Sequence, residues 1–112
     1  QFVINFNGRI IISNKNDIRD YVDIGDIMEA ILRALKTKKG KLYEMINICS
    51  GKGTKLEDVV NLFGKVLNKE YKIYPLNVKE ASCSVGVNDK ARRILNWKPK
   101  ISLEESVRKM IW

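Results

Sequence analysis

Short apolar runs rich in β-branched residues alternate along this chain with segments of helical periodicity, and this alternation limits the fold more than any other feature. Residues 10–12, 42–48, 71–74 and 82–87 have the character of strands. Three longer stretches place apolar residues three and four positions apart, which is the spacing of one helix face. The sequence therefore predicts an α/β fold, with an α+β-like arrangement of short strands and three main amphipathic helices.

Capping patterns predict where these helices begin. Asp26 and Glu29 have the spacing of a capping box, so we predict a helix from Asp26. Its predicted apolar face consists of Ile27, Ala30, Ile31, Ala34 and Leu35. The same spacing recurs before two further helices, at Thr54 and Glu57 and at Ser102 and Glu105. A shorter helix is predicted from Asn88 or Asp89 to Leu95.

The stretch from Asn47 to Asp58, NICSGKGTKLED, has the outline of a phosphate-binding loop. An apolar run enters it, Gly51 and Gly53 follow, and a helical pattern comes next. The glycine spacing matches neither Gly-x-x-x-x-Gly-Lys-Ser/Thr nor Gly-x-Gly-x-x-Gly, because Leu56 stands at the third glycine position. We therefore interpret these glycines as a turn between a strand and a capped helix.

This chain contains few residues that could act in catalysis. It contains no histidine, and its two cysteines, Cys49 and Cys83, form no Cys-x-x-Cys pair, so we predict neither a zinc site nor any other metal site. A nucleophilic cysteine needs a base, for which histidine is the usual residue. No tyrosine is followed four positions later by a lysine. We expect no catalytic residue here, and we expect Cys49 to be a buried thiol in a reducing compartment.

The net charge of +8 favours acidic partners, which include nucleic acid, anionic lipid and phosphorylated small molecules. The lysines are spread over several segments rather than gathered in one basic block, so a lysine-rich solvated surface is the more ordinary explanation. No apolar run approaches the roughly 20 residues of a membrane span. With no secretion signal recognisable, we expect a cytoplasmic protein without membrane partners.

Four segments together resemble the C-terminal part of extended short-chain dehydrogenases that act on nucleotide-sugars, in the order and at about the spacing of that family. They are RDYVDIGDI (residues 19–27), YEMINICSG (43–51), KLEDVVNLFGKVL (55–67) and NDKARRILNWKPKISLEESVRKMIW (88–112). Each alone is modest evidence, but four in order over nearly the whole chain are specific. The family includes epimerases, dehydratases and ketosugar reductases.

The resemblance implies that residues 1–112 are a single domain or fragment, the nucleotide-sugar-binding portion of a larger enzyme. In this family an N-terminal Rossmann domain binds NAD or NADP and carries a Tyr-x-x-x-Lys catalytic pair, and neither feature is found in this sequence. We therefore expect this chain to bind no cofactor and to be inactive alone. Its expected partners are that Rossmann domain and a UDP-, GDP- or dTDP-sugar.

The resemblance also points to substrate-binding residues. Arg19 matches a family arginine that reaches the substrate's phosphates, and a guanidinium suits phosphate oxygens because it offers paired donors. The alternative is a surface arginine paired with Asp17 or Asp20. Asn77 stands where the family commonly has a second arginine, and Lys79 is the nearby cation that could replace its charge. Val87 also replaces a frequent family aspartate, and Cys49 a frequent glycine.

Two other functions stay open at this point. The charge alone would suit a small basic nucleic-acid-binding module, although the sequence offers no RNA-binding aromatic motif and no recognisable helix-turn-helix signature. A ligand-free interaction domain would also fit the composition. If residues 42–48 form an edge strand of a larger sheet, the chain would expose an unpaired edge and an apolar face, and it could self-associate.

Overall fold

The computed structural model describes residues 2–4, 8–38, 43–76 and 80–111, and the backbone alone at residues 2–4. In chain order the elements are β1 (Phe2–Ile4), β2 (Arg9–Ile12), β3 (Ile18–Asp20), α1 (Ile24–Lys36), β4 (Gly53–Lys55), α2 (Leu56–Leu67), β5 (Lys72–Pro75), β6 (Cys83–Ser84), α3 (Asp89–Leu95) and α4 (Leu103–Met110). Short strands alternate with helices, which confirms the predicted α/β class.

The strands of the described residues form two three-stranded sheets. In the first, the order is β1-β2-β5, with β1 antiparallel to β2 and β5 parallel to it. In the second, the order is β4-β3-β6, with β4 antiparallel and β6 parallel to β3. The predicted strand at 71–74 corresponds to β5, whereas the predicted strand at 82–87 is reduced to the two residues of β6.

Two clusters of buried apolar side chains hold the helices in place. The first cluster lies between the first sheet and α2, and its buried members are Ile10, Ile12, Leu56 and Val60. The second joins α1 to α3 and to the segment after α3, and its buried members are Ala30, Ala91, Leu95 and Trp97. Burial of these side chains is the main source of stability in a domain of this size.

Helix α1 begins two residues earlier than predicted, and the proposed capping box is wrong. Asp23 is the N-cap, and its carboxylate accepts a hydrogen bond from the Gly25 backbone N–H at 2.7 Å. The Ser106 hydroxyl, that amide and the Lys109 ammonium outweigh burial and hold the pKa of Asp23 below its ordinary value. Asp23 thus fastens the start of α1 to α4.

Asp26, the predicted cap, is instead buried inside the first turn of α1. Its carboxylate accepts hydrogen bonds from the backbone N–H groups of Lys100 and Ile101, both at 3.0 Å. Its carbonyl accepts one from the Trp97 indole at 2.8 Å. The local sequence pattern suggested that Asp26 is a cap, because the partners of Asp26 lie more than 70 positions away in sequence and do not contribute to that pattern.

Helix α2 also starts differently from the prediction. Thr54 lies in β4, and the N-cap position is Lys55, which makes no side-chain capping bond. The first amides are bound instead by backbone carbonyls of the loop before β3: Leu56 donates to Asp17 at 2.8 Å and Glu57 to Lys15 at 3.1 Å. Tertiary contacts thus replace the capping box. Apolar residues of α2 at helical spacing face inward, since Leu56, Val59 and Val60 are buried.

The segment 43–49 forms no strand, so the predicted strand at 42–48 is wrong over its described part. It nevertheless keeps the two-residue alternation of a strand. Ile46 and Ile48 pack on the second cluster, while Tyr43 and Met45 are exposed. An extended segment becomes a strand only when another strand pairs with it, and no described strand does so here.

The last two helices follow the sequence closely. Helix α3 ends at Leu95, and Asn96 takes the left-handed conformation that ends it. The capping box of α4 is present, with Glu105 donating its backbone N–H to the Ser102 hydroxyl at 3.1 Å and Ser102 donating to the Glu105 carboxylate at 3.0 Å. Over the described ranges, no helix is both long enough and apolar enough to span a membrane.

Candidate functional site

The central strand of the second sheet carries Arg19, and its register determines which side chains share a face with that residue. Arg19 lies opposite Thr54 of β4 and beside Ser84 of β6. Directly opposed residues project from the same face of a sheet, and Tyr21, two positions further on, continues that face. Asp20 projects from the other face. The sheet therefore separates Arg19 from its neighbouring carboxylate.

The Arg19 side chain is held in place yet remains 38% exposed. Nη1 donates to the carbonyls of Ile18 at 2.8 Å and Ser82 at 3.2 Å, and Nη2 donates to the Ser82 hydroxyl at 2.9 Å. Nη2 also lies 4.0 Å from the buried carboxylate of Asp17. The acidic partner of Arg19 is therefore Asp17 rather than Asp20. These contacts orient the guanidinium without covering it.

Asp17 also binds Ser82, the residue that accepts hydrogen bonds from Arg19. Its carboxylate accepts a hydrogen bond from the Ser82 backbone N–H at 2.9 Å and lies 3.4 Å from the Ser82 hydroxyl. Ile18 also donates its backbone N–H to the Ser82 carbonyl at 2.8 Å. Ser82 is thus fixed to β3 by both backbone and side-chain bonds, and Arg19 is positioned by this fixed loop.

The carboxylate of Asp20 organises the opposite face. It accepts hydrogen bonds from the Ser50 backbone N–H at 2.8 Å, the Ser50 hydroxyl at 2.5 Å, the Gly51 N–H at 2.9 Å and the Gly86 N–H at 3.2 Å. Burial acts to raise the pKa of Asp20, but these donors together outweigh it and leave the pKa below its ordinary value. A single carboxylate thus joins two loops to β3.

The hydrogen bonds of Asp20 show that the glycine stretch at residues 47–58 is not available to bind phosphate. A phosphate-binding loop offers its free backbone N–H groups to an anion. Here the amides of Ser50 and Gly51 are already bound by Asp20, and Gly53 lies in β4. The residues of this loop therefore do not fit a dinucleotide phosphate. Gly51 serves the turn itself, since its φ of 77° is in the left-handed region that favours glycine.

Replacement of Asp20 by asparagine is expected to lower the free energy of unfolding by about 1–3 kcal/mol at neutral pH, because an amide NH2 would face bound N–H donors. Since the folded pKa is lowered, the stabilisation by Asp20 is present above the unfolded pKa and is lost as the pH falls through the folded one. Urea denaturation should therefore show that the difference in free energy of unfolding between wild type and Asp20→Asn becomes smaller in acid. Exposed Glu70→Gln is the control, and a gap that does not depend on pH would contradict the assignment.

The second loop fixed by Asp20 meets the segment 43–49 at Asn88. The buried Asn88 amide donates to the carbonyls of Cys49 at 3.0 Å and Ser50 at 3.3 Å, and its oxygen accepts from Arg92 at 2.8 Å. Cys49 is half-buried, less than predicted, and burial followed by the Asp20 charge raises the pKa of its thiol. Gly86 has no room for a side chain, because an added Cβ would collide with Cys49.

A cleft of about 230 Å³ opens beside this sheet. Tyr21, Lys52 and Thr54 line one side, and the segment from Pro99 to Leu103 lines the other. Burial raises the pKa of Tyr21, while the Arg19 charge acts to lower it, so the arginine and the phenol lie within electrostatic reach of each other. The cleft thus combines an aromatic hydroxyl with the cation of Lys52, whereas the ammonium of Lys100 is bound by the Glu29 carboxylate at 3.0 Å.

Nearly the whole chain matches a known protein family. The family model described as GDP-mannose 4,6 dehydratase matches residues 4–110. The chain belongs to this family. Its members include nucleotide-sugar epimerases and dehydratases of the extended short-chain dehydrogenase/reductase type, so the resemblance predicted from four sequence segments is confirmed.

Individual relatives agree with this family assignment. UDP-glucuronate 4-epimerase of Thermodesulfobacterium geofontis is 30% identical over 104 residues, which are 90% of this chain and 31% of that protein. UDP-glucose 4-epimerase of Thermotoga maritima, solved with UDP-glucose, has a TM-score of 0.74 at 31% identity and matches 88% of this chain and 32% of its own.

A third similar structure shows the fold alone, because its sequence identity is only 24%. It is RMD from Pseudomonas aeruginosa, solved in complex with NADPH, with a TM-score of 0.80 over 90% of this chain and 34% of its own. Across these three comparisons, the chain spans about a third of the length of each protein that it matches.

Two of the three predicted substrate-binding residues cannot be placed. Asn77 and Lys79 lie outside the described residues, which end at Leu76 after β5 and resume at Glu80. Their roles in the family site stay predictions. Ser82, two positions after the chain resumes, is the residue that Arg19 binds.

Sequence reasoning considered Asp17 and Asp20 only as partners of Arg19 and missed the contacts that organise the site. Asp17, Asp20 and Asn88 bind partners between 30 and 66 positions away, and such contacts leave no trace in local periodicity. One signal was available: Asp20 directly follows Arg19 and stands well before Asp26, from which the helix was predicted. A carboxylate in that position has no capping function and so needs another explanation.

Proposed function

We propose that this chain is the nucleotide-sugar-binding portion of an NAD(P)-dependent epimerase, dehydratase or reductase, and that Arg19 binds the substrate's diphosphate. The observation that carries the proposal is the half-exposed guanidinium of Arg19, held by Ser82 and Asp17 on a sheet face that adjoins the Tyr21 cleft. Family membership supports the substrate class.

The surroundings of Arg19 suit a diphosphate. A guanidinium that is already oriented loses little side-chain entropy when it binds phosphate oxygens. Lys52 adds positive charge at the cleft, and the net charge of +8 attracts an anionic ligand over a longer range. We propose that Asn77 and Lys79 complete the diphosphate site, with a neutral amide donor and an ammonium in place of a second arginine.

The reaction itself is assigned to a separate part of the enzyme. This sequence contains no Tyr-x-x-x-Lys pair, and the loop at Gly51 does not fit a dinucleotide phosphate. We propose that a Rossmann domain, as the partner of this chain, supplies both the cofactor and the acid–base pair, and that the complete protein is cytoplasmic. Bound NAD or NADP would exchange a hydride with a sugar carbon. This chain would hold the substrate and exclude water from it.

A binding and turnover experiment tests the proposal on the 112-residue chain. Its melting temperature is expected to rise with UDP-glucose, GDP-mannose or dTDP-glucose, because a ligand that binds only the folded state stabilises it. No sugar product is expected with NAD or NADP present. Epimerase or dehydratase turnover by this chain alone would contradict the division of functions. No shift with all three ligands would favour an interaction domain without a ligand.

A further inference from the structure

The segment 43–49 has one edge that α3 occupies and one edge that is open. In a segment with the alternation of a strand, the backbone groups of every second residue point to the same edge. The carbonyl of Met45 accepts a hydrogen bond from the Lys90 ammonium at 2.8 Å, and the carbonyl of Cys49 accepts one from the Asn88 amide at 3.0 Å. Both donors belong to α3 or to the residue before it, so α3 occupies the edge of the odd-numbered residues.

The opposite edge carries backbone groups without a partner. Within the described part of the chain, no hydrogen bond reaches the backbone N–H or C=O of Ile46 or Ile48. Their side chains are nevertheless held in place, since both pack on the second cluster. Backbone groups that are fixed in direction but unpaired form a template for another strand.

The segment lacks the features that protect an exposed edge in other proteins. Such edges usually carry lysine or proline, or a bulge bends them away. Residues 43–49 contain neither lysine nor proline, and the carboxylate of Glu44 is paired with Lys90. One face of the segment packs on the second cluster, and the other face exposes Tyr43 and Met45. Two apolar faces without edge protection are typical of a strand inside an α/β sheet.

Helix α1 extends this open surface. It packs through Ala30 on the cluster that also holds the segment 43–49. Its outer side leaves large apolar side chains exposed, among them Met28, Ile31, Leu32 and Leu35. Ile31 and Leu35 belong to the apolar face predicted from the sequence, but 47% and 79% of their surface is exposed. One added strand is too small to cover a helix as well as an edge, so this surface suits a whole domain.

We propose that a strand from outside this chain pairs with the open edge at Ile46 and Ile48 and makes the segment 43–49 part of a larger sheet. The proposal rests on the proposed function, which assigns a further domain as partner, and it identifies where that domain docks. An added strand gains affinity from its main-chain hydrogen bonds.

Two observations favour a further domain over a second copy of this chain as the source of that strand. The chain spans about a third of the proteins that it matches, so the other two thirds of their length can supply the strand. Each copy of this chain carries a net charge of +8, which opposes the approach of two copies. Pairing between copies is therefore an outcome that the experiment must distinguish.

Amide hydrogen exchange without nucleotide-sugar tests this pairing in two proteins. One is the 112-residue chain, and the other is a chimera in which this chain replaces the matching third of UDP-glucose 4-epimerase of Thermotoga maritima. The amides of Ile46 and Ile48 are expected to exchange rapidly in the chain and at least about a hundredfold more slowly in the chimera. The amide of Asn47 points to the edge that α3 occupies, so its exchange rate should be the same in both. Val107, buried in α4, is the control for folding.

Protection at every second residue distinguishes strand pairing from simple burial. Equal protection of residues 46, 47 and 48, or rapid exchange of all three in a folded chimera, would contradict the proposal. Slow exchange of Ile46 and Ile48 that appears in the 112-residue chain at high concentration would assign the open edge to a second copy instead.

A second chimera keeps the test decisive if the first does not fold. It joins this chain to the part of RMD from Pseudomonas aeruginosa that lies outside the match. Failure of both chimeras to fold, while the 112-residue chain is folded, would also overturn the proposal. Nucleotide-sugar binding is measured separately on the 112-residue chain, so failure of strand pairing and failure of substrate binding are distinct results.

Discussion

Replacement of Trp97 by alanine is expected to lower the free energy of unfolding by about 3–5 kcal/mol. Trp97 is the largest of the fully buried side chains, with 1% of its surface exposed, and it packs with Ala30, Ala91 and Leu95. Its indole N–H also donates to the carbonyl of Asp26. Since domains of this size are stable by only about 5–15 kcal/mol, this loss removes a large share of the stability and should clearly lower the urea concentration at the midpoint of unfolding.

A second variant separates packing from hydrogen bonding at this position. Trp97→Phe keeps most of the buried apolar surface but leaves the Asp26 carbonyl without its indole donor, which costs about 1–3 kcal/mol. Urea denaturation of both variants measures the difference, with Met110→Ala as a control at an exposed apolar position. Equal stability of Trp97→Ala and Trp97→Phe would show that the second cluster does not depend on the volume of this side chain.

Much of the fold could be predicted from local sequence because those elements are stabilised by local interactions. The capping box of α4 needs only Ser102 and Glu105, and the apolar face of α2 needs only its own periodicity. The start of α1 could not be predicted in this way. Asp23 and Asp26 are both plausible caps, and only the distant amides of Lys100 and Ile101 determine that Asp26 is buried instead.

The site was less predictable than the fold because it depends on contacts between residues that are distant in sequence. Arg19 was identified through a family resemblance, whereas Ser82 and Asp17, which position it, are brought together only by the pairing of β3 with β6. The strand prediction at 42–48 failed for a related reason. Alternating side chains show that a segment can be a strand, but pairing requires a neighbour that the described chain does not supply.

Replacement of Arg19 by alanine is expected to weaken nucleotide-sugar binding by about 1–3 kcal/mol, the usual value of a hydrogen bond to a charged group. This corresponds to a dissociation constant about 5- to 150-fold higher. Arg19→Lys should recover only part of the loss, because an ammonium cannot present the paired donors of a guanidinium. An NMR titration with UDP-glucose and with GDP-mannose can measure weak as well as tight binding by a chain of this size.

Two controls distinguish phosphate binding from loop positioning. Ser82→Ala removes a hydrogen bond that orients Arg19 but keeps its charge, so it should weaken binding less than Arg19→Ala does. Arg93→Ala removes an equal charge from an exposed position on α3 and should leave binding unchanged. If Arg93→Ala weakened binding as much as Arg19→Ala, general electrostatic attraction would explain the affinity, and Arg19 would have only its structural contacts with Ser82 and Asp17.

The central claim is that the sheet face of Arg19 and the adjoining Tyr21 cleft bind a nucleotide-sugar. The most direct measurement is a map of amide chemical-shift changes when the nucleotide-sugar is titrated into the 112-residue chain. We predict that the changes concentrate at Arg19, Tyr21, Lys52 and Thr54, and that in Arg19→Ala they require about 5- to 150-fold more ligand. Changes confined to other surfaces, or no change with any of the three nucleotide-sugars, would contradict the claim.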